Sequence, residues 1–187
     1  MDELQKTKFK GNIFAGIDPG FTGWITAINE DGSLHSFIKT PIFTDVKKVK
    51  RRATGKISTS TKTSLDEPAI IEILRSFPNY SVVALEKQHP VTGQGLASTG
   101  KTMYGYGFWV GVTRSLGLNL KLITAKEWQK VMLDNSIEDT KEASVAAVKK
   151  WNKELDLRKT KRSKKDDHNL ADSINIARYC WQSFSKA

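Results

Sequence analysis

NIFAGIDPGFTGWITAINEDGSLHSFIK, residues 12–39, holds three short runs of apolar and β-branched residues. A Pro-Gly turn separates the first run from the second, and Asn-Glu-Asp-Gly separates the second from the third. Apolar runs separated by these turn residues predict three consecutive strands, the last two joined as a hairpin. The first run ends in a carboxylate, Asp18, directly before its turn.

The rest of the chain alternates helical and strand patterns. Asp66 and Pro68 open a helix, and the run SVVALE that follows it predicts a buried strand ending in Glu86. A glycine-rich helix, another strand and three further helices complete the order. This order of strands and helices predicts an α/β fold around one mixed sheet. The length of 187 residues indicates a single domain, 1–187.

The composition is strongly basic, because 30 Lys and Arg against 20 Asp and Glu give a formal net charge of +10. Such a balance indicates a polyanionic partner, with nucleic acid as the first candidate. KKVKRRATGKISTSTK is too polar for a core and predicts a mobile basic loop at about 44–64. RKTKRSKK, at 158–165, carries six more basic side chains. For each single lysine, a solvated surface charge is the alternative interpretation.

Other function classes find little support. The sequence lacks the roughly 20 consecutive apolar residues of a spanning helix, and its first ten residues lack the apolar region of a signal peptide. Its one cysteine, Cys180, allows no internal disulfide and no cysteine-based zinc site. We therefore expect a soluble protein in a reducing cytoplasm, with Cys180 in the core.

Carboxylates at the ends of apolar strands require an explanation, because burying an unpaired charge costs several kcal/mol or forces its protonation. Asp18 and Glu86 are two such residues. An Asx turn at Asp18 and a solvent-facing strand end at Glu86 are the structural alternatives. Acids at two strand ends also suit Mg²⁺, which prefers carboxylate oxygens together with water and substrate phosphate.

A third acidic group stands at the start of the last helix. His168 and Asp172 are four residues apart and so share one helix face. Asp166 and Asp167 also suit helix capping, whereas Asp172 lies past the first turn, where capping no longer accounts for it. Two ions about 4 Å apart, held by such acids, could activate a water and stabilise the leaving oxygen of a phosphodiester.

Three motifs resemble a known family. GIDPGFTGW at 16–24 is similar to the first-strand motif of RuvC-type Holliday junction resolvases, and LEKQHPVTGQG at 85–95 is similar to the second acidic motif of their phage and bacterial relatives. KKDDHNLADSINIA at 164–177 resembles their closing motif. The motifs occur in the family's order and span nearly the whole chain.

The resemblance implies an RNase H-like fold with a five-stranded mixed sheet flanked by helices. It further implies a homodimer in a bacterial cell or a phage-infected host, which makes paired nicks in a four-way or branched DNA junction with two Mg²⁺ ions, replaceable by Mn²⁺. Asp18 would bridge the metals, and Glu86 and Asp172 would be further ligands. Family members carry Asp or His three residues before the last acid, where this chain has Asn169. We expect His168 as the fourth ligand or proton donor, with Asp167 as the alternative.

The predicted DNA contacts lie in the two basic segments and in the stretch after Glu86. His89 follows that glutamate by three residues, where some resolvases place an aromatic wedge, and it could stack on unpaired bases. The lysines and arginines would contact phosphates, which gives affinity without sequence information. The full set is Lys47, Lys48, Lys50, Arg51, Arg52, Lys56, His89, Gln94, Lys101, Arg162, Lys164 and Lys165.

Other functions remain compatible with these residues. An RNase H-like domain can bind nucleic acid without cutting it, and nucleases of this fold also cut RNA-DNA hybrids or act as transposases. Sugar kinases and actin-like ATPases share an Asp-x-Gly turn, but they need two such domains and a longer chain. The three acids together with the second motif favour junction resolution.

Overall fold

The computed structural model describes residues 11–50, 55, 57–160 and 162–185, with the side chains of Val49 and Lys50 left out. The described chain forms seven strands and five helices. The strands are β1 (Ile13–Ile17), β2 (Trp24–Asn29), β3 (Leu34–Lys39), β4 (Ile42–Lys50), β5 (Ile57–Leu65), β6 (Val82–Glu86) and β7 (Asn119–Ile123). The helices are α1 (Glu67–Arg75), α2 (Leu96–Ser115), α3 (Ala125–Met132), α4 (Thr140–Trp151) and α5 (His168–Phe184).

Five of the strands form one mixed sheet in the order β3-β2-β1-β6-β7. β2 is antiparallel to β1 and β3, whereas β1, β6 and β7 run parallel to one another. Parallel neighbours need crossovers, and α1 and α2 provide them. The expected α/β class with a five-stranded mixed sheet flanked by helices is confirmed.

The basic segment 44–64 differs from the expected loop. It lies mostly in β4 and β5, which pair antiparallel over nine residues each as a separate two-stranded sheet. The sequence of this ribbon lacks the usual apolar alternation of a strand, because Thr and Ser stand where apolar side chains would otherwise recur. Arg51, Arg52 and Lys56 lie outside the described residues.

Helix α5 packs along the centre of one sheet face. Its middle is enclosed on nearly all sides, since Leu170, Ile174, Ala177 and Cys180 are all fully buried. The close approach to β1 requires a glycine, because a Cβ at Gly16 would lie 2.2 Å from the backbone nitrogen of Ala177. α1 and α2 cover the other face around Trp109.

Local capping signals are confirmed at several helix starts. Asp66 accepts the backbone N–H of Ala69 at the start of α1. Thr124 and Glu127 form a capping box at the start of α3. These contacts fix the residues at which α1 and α3 begin.

Candidate active site

Asp18 and Glu86 are neighbours at the carboxyl edge of the sheet. Ile17 pairs with Leu85 in the parallel β1–β6 ladder, so the next residue on each strand is a carboxylate. Side chains alternate along a strand, which places both acids on the face of Gly16 and Ala84. That face is covered by α5, because Gly16 meets its backbone and Ala84 packs in the same cluster as Ile176.

The turn after Asp18 is tightly built. The Asp18 backbone N–H donates to the carbonyl of Trp24 at 3.1 Å, and its Oδ1 accepts the N–H of Gly20 at 3.2 Å. A Cβ at Gly23 would lie 2.1 Å from the Asp18 carbonyl oxygen, so the turn closes only with glycine there. The suspected Asx turn is therefore present. It uses one carboxylate oxygen and holds the group in place.

Asp172, on α5, lies close enough to Asp18 and Glu86 to interact with both electrostatically. Ser144 of α4 donates its hydroxyl to Asp172 Oδ1 at 2.5 Å. Asn175, one turn further along α5, donates its amide to both the carbonyl and the hydroxyl oxygen of Ser144, each at 3.0 Å. Ser144 and Asn175 are fully buried. Neither was predicted from the sequence, because the pairing spans about thirty residues and carries no local signal.

The three carboxylates influence one another electrostatically. Burial raises the pKa of Asp18 to about 6, and the charges of Asp172 and Asp167 add to the increase. Burial, followed by the charges of Asp18 and Asp172, raises the pKa of Glu86 to about 7. Burial raises the pKa of Asp172 to about 6 against the opposing hydrogen bond from Ser144. All three side chains remain partly exposed, so this acidic edge is accessible from outside.

The residues at the start of α5 have distinct surroundings. Asp167 is the N-cap, and its two oxygens accept the N–H of Asn169 at 3.0 Å and the indole N–H of Trp24 at 3.2 Å. Asn169 donates its amide to the carbonyl and the hydroxyl of Thr22. His168 interacts electrostatically with Asp18 and lowers its pKa. The contacts of Asp167 and Asn169 are those of a helix cap and a turn anchor, which leaves His168 as the favoured fourth group.

Trp128 of α3 is a further neighbour of the acidic edge. It is almost fully buried, and its interaction with Glu86 lowers the pKa of that carboxyl against the effect of burial. Its indole Nε1 has no hydrogen-bond partner of good geometry within the described residues. A polar N–H without a partner is costly in a protein interior. The carboxylate of Glu86 is therefore the acceptor to which this indole N–H is positioned to donate.

The donor set fits Mg²⁺ by its chemistry. Asp18, Glu86 and Asp172 offer carboxylate oxygens, the ligands that this hard cation prefers. Their pKa values are raised mainly by burial and further by the charges of neighbouring carboxylates, and a bound divalent ion would favour the ionised forms. Among the described residues, no three Asp, Glu, His or Cys side chains are already gathered closely enough to hold an ion.

Metal-free protein is expected to lose stability as the pH rises from about 4 to about 7. The folded-state pKa values of about 6, 7 and 6 exceed the ordinary values of 3.8 for Asp and 4.5 for Glu, so the folded chain keeps protons that the unfolded chain has lost. Thermal unfolding across this range measures the effect. Mg²⁺ should raise the midpoint more at pH 7.5 than at pH 5, and Glu86→Gln should flatten the profile. A wild-type profile identical to that of Glu86→Gln contradicts the expectation.

Ser144→Ala is expected to raise the pKa of Asp172 further, because the hydroxyl stabilises the ionised carboxylate. The lost buried hydrogen bond should also lower the free energy of unfolding by about 1–2 kcal/mol. Carboxyl NMR titration and thermal unfolding measure the two effects. Ser173→Ala is the matched control, since this buried hydroxyl pairs with Thr26 at 2.8 Å. An Asp172 titration that shifts equally in both variants would assign Ser144 a purely structural role.

Basic side chains flank the acidic edge. Lys101 lies 4.0 Å over the ring of Phe21, which belongs to the turn after Asp18. Lys39, at the end of β3, interacts with Lys159, and burial together with that like charge lowers the pKa of Lys39. Neither Lys39 nor Lys159 was predicted as a DNA contact. Two cations held side by side are suited to a phosphate anion.

The other predicted DNA contacts are surface residues. Gln94 donates to Ser98 at 2.8 Å in the first turn of α2, and His89 is exposed in the loop after β6. Lys47 and Lys48 are exposed on β4, whereas Lys50 is described in its backbone only. Arg162, Lys164 and Lys165 are exposed just before α5. As DNA contacts, all of these residues stay predictions.

The acidic edge is open. A concavity of about 520 Å³ lies instead at the opposite edge, lined by Asn12, Tyr80 and Asn119 among others. An open edge that joins carboxylates to cations suits a polymeric anion better than an enclosed small molecule. No helix in the described part of the chain is long and apolar enough to cross a membrane.

Fold and site together define an α/β domain with three coupled carboxylates at the carboxyl edge of its mixed sheet. Among solved structures, the chain is similar to RuvC of Thermus thermophilus in complex with a Holliday junction substrate, with a TM-score of 0.49, 14% identity and coverage of 91% of this chain and 94% of that one. It is also similar to a second Thermus thermophilus RuvC structure, with a TM-score of 0.49, 16% identity and coverage of 91% and 95%.

The yeast mitochondrial Holliday junction resolvase Ydc2 is similar with a TM-score of 0.44, 13% identity and coverage of 97% of this chain and 83% of that one. No protein-family model and no curated protein matches the sequence. At TM-scores below 0.5, these likenesses decide nothing about the chemistry of the site. That chemistry follows from the residues of this chain.

Proposed function

We propose that this protein is an endodeoxyribonuclease that resolves four-way or branched DNA junctions by Mg²⁺-dependent paired nicking. The observation that carries the proposal is the grouping of Asp18, Glu86 and Asp172 from two parallel strands and α5 on one open edge. Their order and motifs also resemble those of RuvC-type resolvases. The surrounding lysines support a phosphodiester substrate.

The roles of the residues follow from their positions. Asp18, Glu86 and Asp172 would hold the divalent ions, which supply an activated water and stabilise the leaving oxygen. Ser144 holds Asp172 in one orientation. His168, next to Asp18, would be the fourth ligand or would donate a proton near the scissile phosphate.

Paired nicking needs two active sites, so the proposal includes a homodimer. The expected interface is α2, whose glycine-rich surface faces outward. A Cβ at Gly111 would meet nothing within 4 Å, and Leu96 is 92% exposed. Exposed apolar surface of this kind is typical of a face that packs against another chain.

A nicking assay tests the proposal. The substrates are a synthetic four-way junction, labelled on each strand in turn, and a linear duplex of the same sequence, each with Mg²⁺, Mn²⁺ or EDTA. The expected result is paired nicks on opposite strands of the junction with either metal, little cutting of the duplex and none in EDTA. Binding of the junction without any cleavage would contradict the nuclease and leave a structure-specific DNA-binding module.

A further inference from the structure

The strands β4 (Ile42–Lys50) and β5 (Ile57–Leu65) form a β-ribbon that is separate from the main sheet. Its strands β4 and β5 pair with each other over nine residues, which corresponds to a length of about 30 Å. Side chains on both of its faces are exposed: Phe43, at 56%, lies on one face, and Val46, at 60%, and Ile57, at 71%, lie on the other. An isolated two-stranded ribbon is only marginally stable in water. A ribbon without a core of its own is expected to find its packing partner on binding.

The base of the ribbon is joined to the acidic edge. Thr40, just before β4, donates its N–H at 3.0 Å to the carbonyl of Gly23, in the turn that holds Asp18. At the other end, Leu65 is buried in the main core, and Asp66 donates its N–H to the carbonyl of Pro41 at 3.0 Å. The ribbon is therefore anchored beside the acidic edge and extends away from it.

Cross-strand register assigns the two faces of the ribbon. Asp45 lies opposite Lys62 and Lys47 opposite Ser60, so lysines and serines share one face. Lys48 lies opposite Thr59, on the face that carries methyl groups. By register, that face carries Ile42, Thr44, Val46, Lys48 and Lys50 on β4 and Ile57, Thr59, Thr61, Thr63 and Leu65 on β5, with Lys50 described in its backbone only. Cations on both faces and hydroxyl or methyl groups between them match the phosphates and base edges of a nucleic-acid groove.

Charge and size select the partner. The sequence of 42–65 carries seven Lys and Arg against one Asp, so two such ribbons repel each other and a second copy is disfavoured. The major groove of B-DNA is about 12 Å wide and admits a two-stranded ribbon. The ribbon's length of about 30 Å is close to one turn of that helix, about 34 Å. The deep, narrow major groove of double-stranded RNA excludes such a ribbon.

We propose that the β-ribbon is an arm that enters the major groove of a DNA duplex leading away from the acidic edge. The inference shares with the proposed function the premise that DNA is the partner, but it does not require that the DNA be cut. It makes binding depend on the length of duplex beyond the junction. A protein that contacts the crossover alone would not sense that length.

The test compares four-way junctions whose arms are about 8 or about 25 base pairs long, below one and above two helical turns. A shortened variant deletes residues 46–61 and joins Asp45 to Lys62 through Asn-Gly. Asp45 and Lys62 are opposite each other in register, so a two-residue turn between them closes the remaining strands. Fluorescence anisotropy in EDTA measures affinity, and thermal unfolding verifies that the variant folds.

A charge variant, Lys47→Gln/Lys48→Gln, isolates the electrostatic part. It should reduce the salt slope of binding to the long-armed junction by about 2. Arg75→Gln/Lys130→Gln removes the same charge from two exposed positions outside α2, one in the last turn of α1, which leads into β6, and one in the last turn of α3. This control should leave the salt slope unchanged.

We expect the wild type to bind the long-armed DNA junction at least about tenfold tighter than the short-armed one, and the shortened variant to bind both alike. Equal binding of both junctions by the wild type would overturn the arm, as would equally tight binding when the long arms are RNA duplex. Cleavage of the junction without an arm-length effect would remove the ribbon's role and keep the nuclease. An arm-length effect without cleavage would keep the ribbon's role in binding and remove the nuclease.

Discussion

Asp18→Asn is expected to lower the rate of junction cleavage by about 10³-fold, the upper end of the effect of removing one preorganised electrostatic group. Junction binding should survive, because the basic side chains that contact phosphate are unchanged. Asparagine keeps the size of the side chain and the oxygen that accepts the Gly20 N–H at 3.2 Å. Single-turnover cleavage with saturating protein and Mg²⁺ measures the loss.

Asp31→Asn is the matched control for this substitution. Asp31 also accepts the backbone N–H of the residue two positions on, Ser33, at 2.8 Å. It stands in the turn between β2 and β3, at the edge of the sheet opposite the acids. Full activity in Asp31→Asn with loss in Asp18→Asn separates the charge of Asp18 from its turn. Substantial cleavage by Asp18→Asn would reduce Asp18 to an Asx turn and reject its metal-bridging role.

Much of the main sheet was predictable because its signals are local. The runs around Asp18 and Glu86 are apolar, short and bounded by turns, and the order of strands and helices follows directly from them. Parallel strands in register then bring two strand-end acids together without further information. The sequence could therefore indicate a carboxylate cluster before any side chain was placed.

The ribbon was not predicted because the residues that alternate along β5 are mainly threonines and serines, which are polar. Thr59, Thr61 and Thr63 alternate with serines and a lysine along β5, and β-branched threonine favours a strand even on a polar surface. The available signal was this alternation of β-branched residues. High charge and the small number of apolar residues favoured a loop instead.

The supporting residues of the site were missed for a different reason. Ser144 and Asn175 are two small polar residues in unremarkable helical patterns, and only the packing of α4 against α5 brings them to Asp172. Trp24 likewise reaches Asp167 across more than a hundred residues. Contacts of this kind depend on tertiary structure, so local patterns do not predict them.

Gly16→Ala is expected to destabilise the fold by about 3 kcal/mol or more, because overpacking between two backbones cannot be relieved by rotating a side chain. The new Cβ would lie 2.2 Å from the nitrogen of Ala177 and 2.5 Å from the carbonyl oxygen of Ser173. It would sit on the helical hydrogen bond between those two groups, so α5 would have to move away from β1. For a chain of this size, a loss of 3 kcal/mol lowers the unfolding midpoint by about 10 °C.

The same displacement should reduce cleavage, since Gly16 stands two residues before Asp18 and Ser173 directly follows Asp172. Ser183→Ala supplies the control: this serine is exposed near the end of the same helix, α5, and alanine is a better helix former than serine. We expect Ser183→Ala to keep or raise the midpoint in thermal unfolding. If Gly16→Ala unfolded at the wild-type temperature and kept full activity, the tight contact of β1 with α5 would not be what holds Asp18 and Asp172 together.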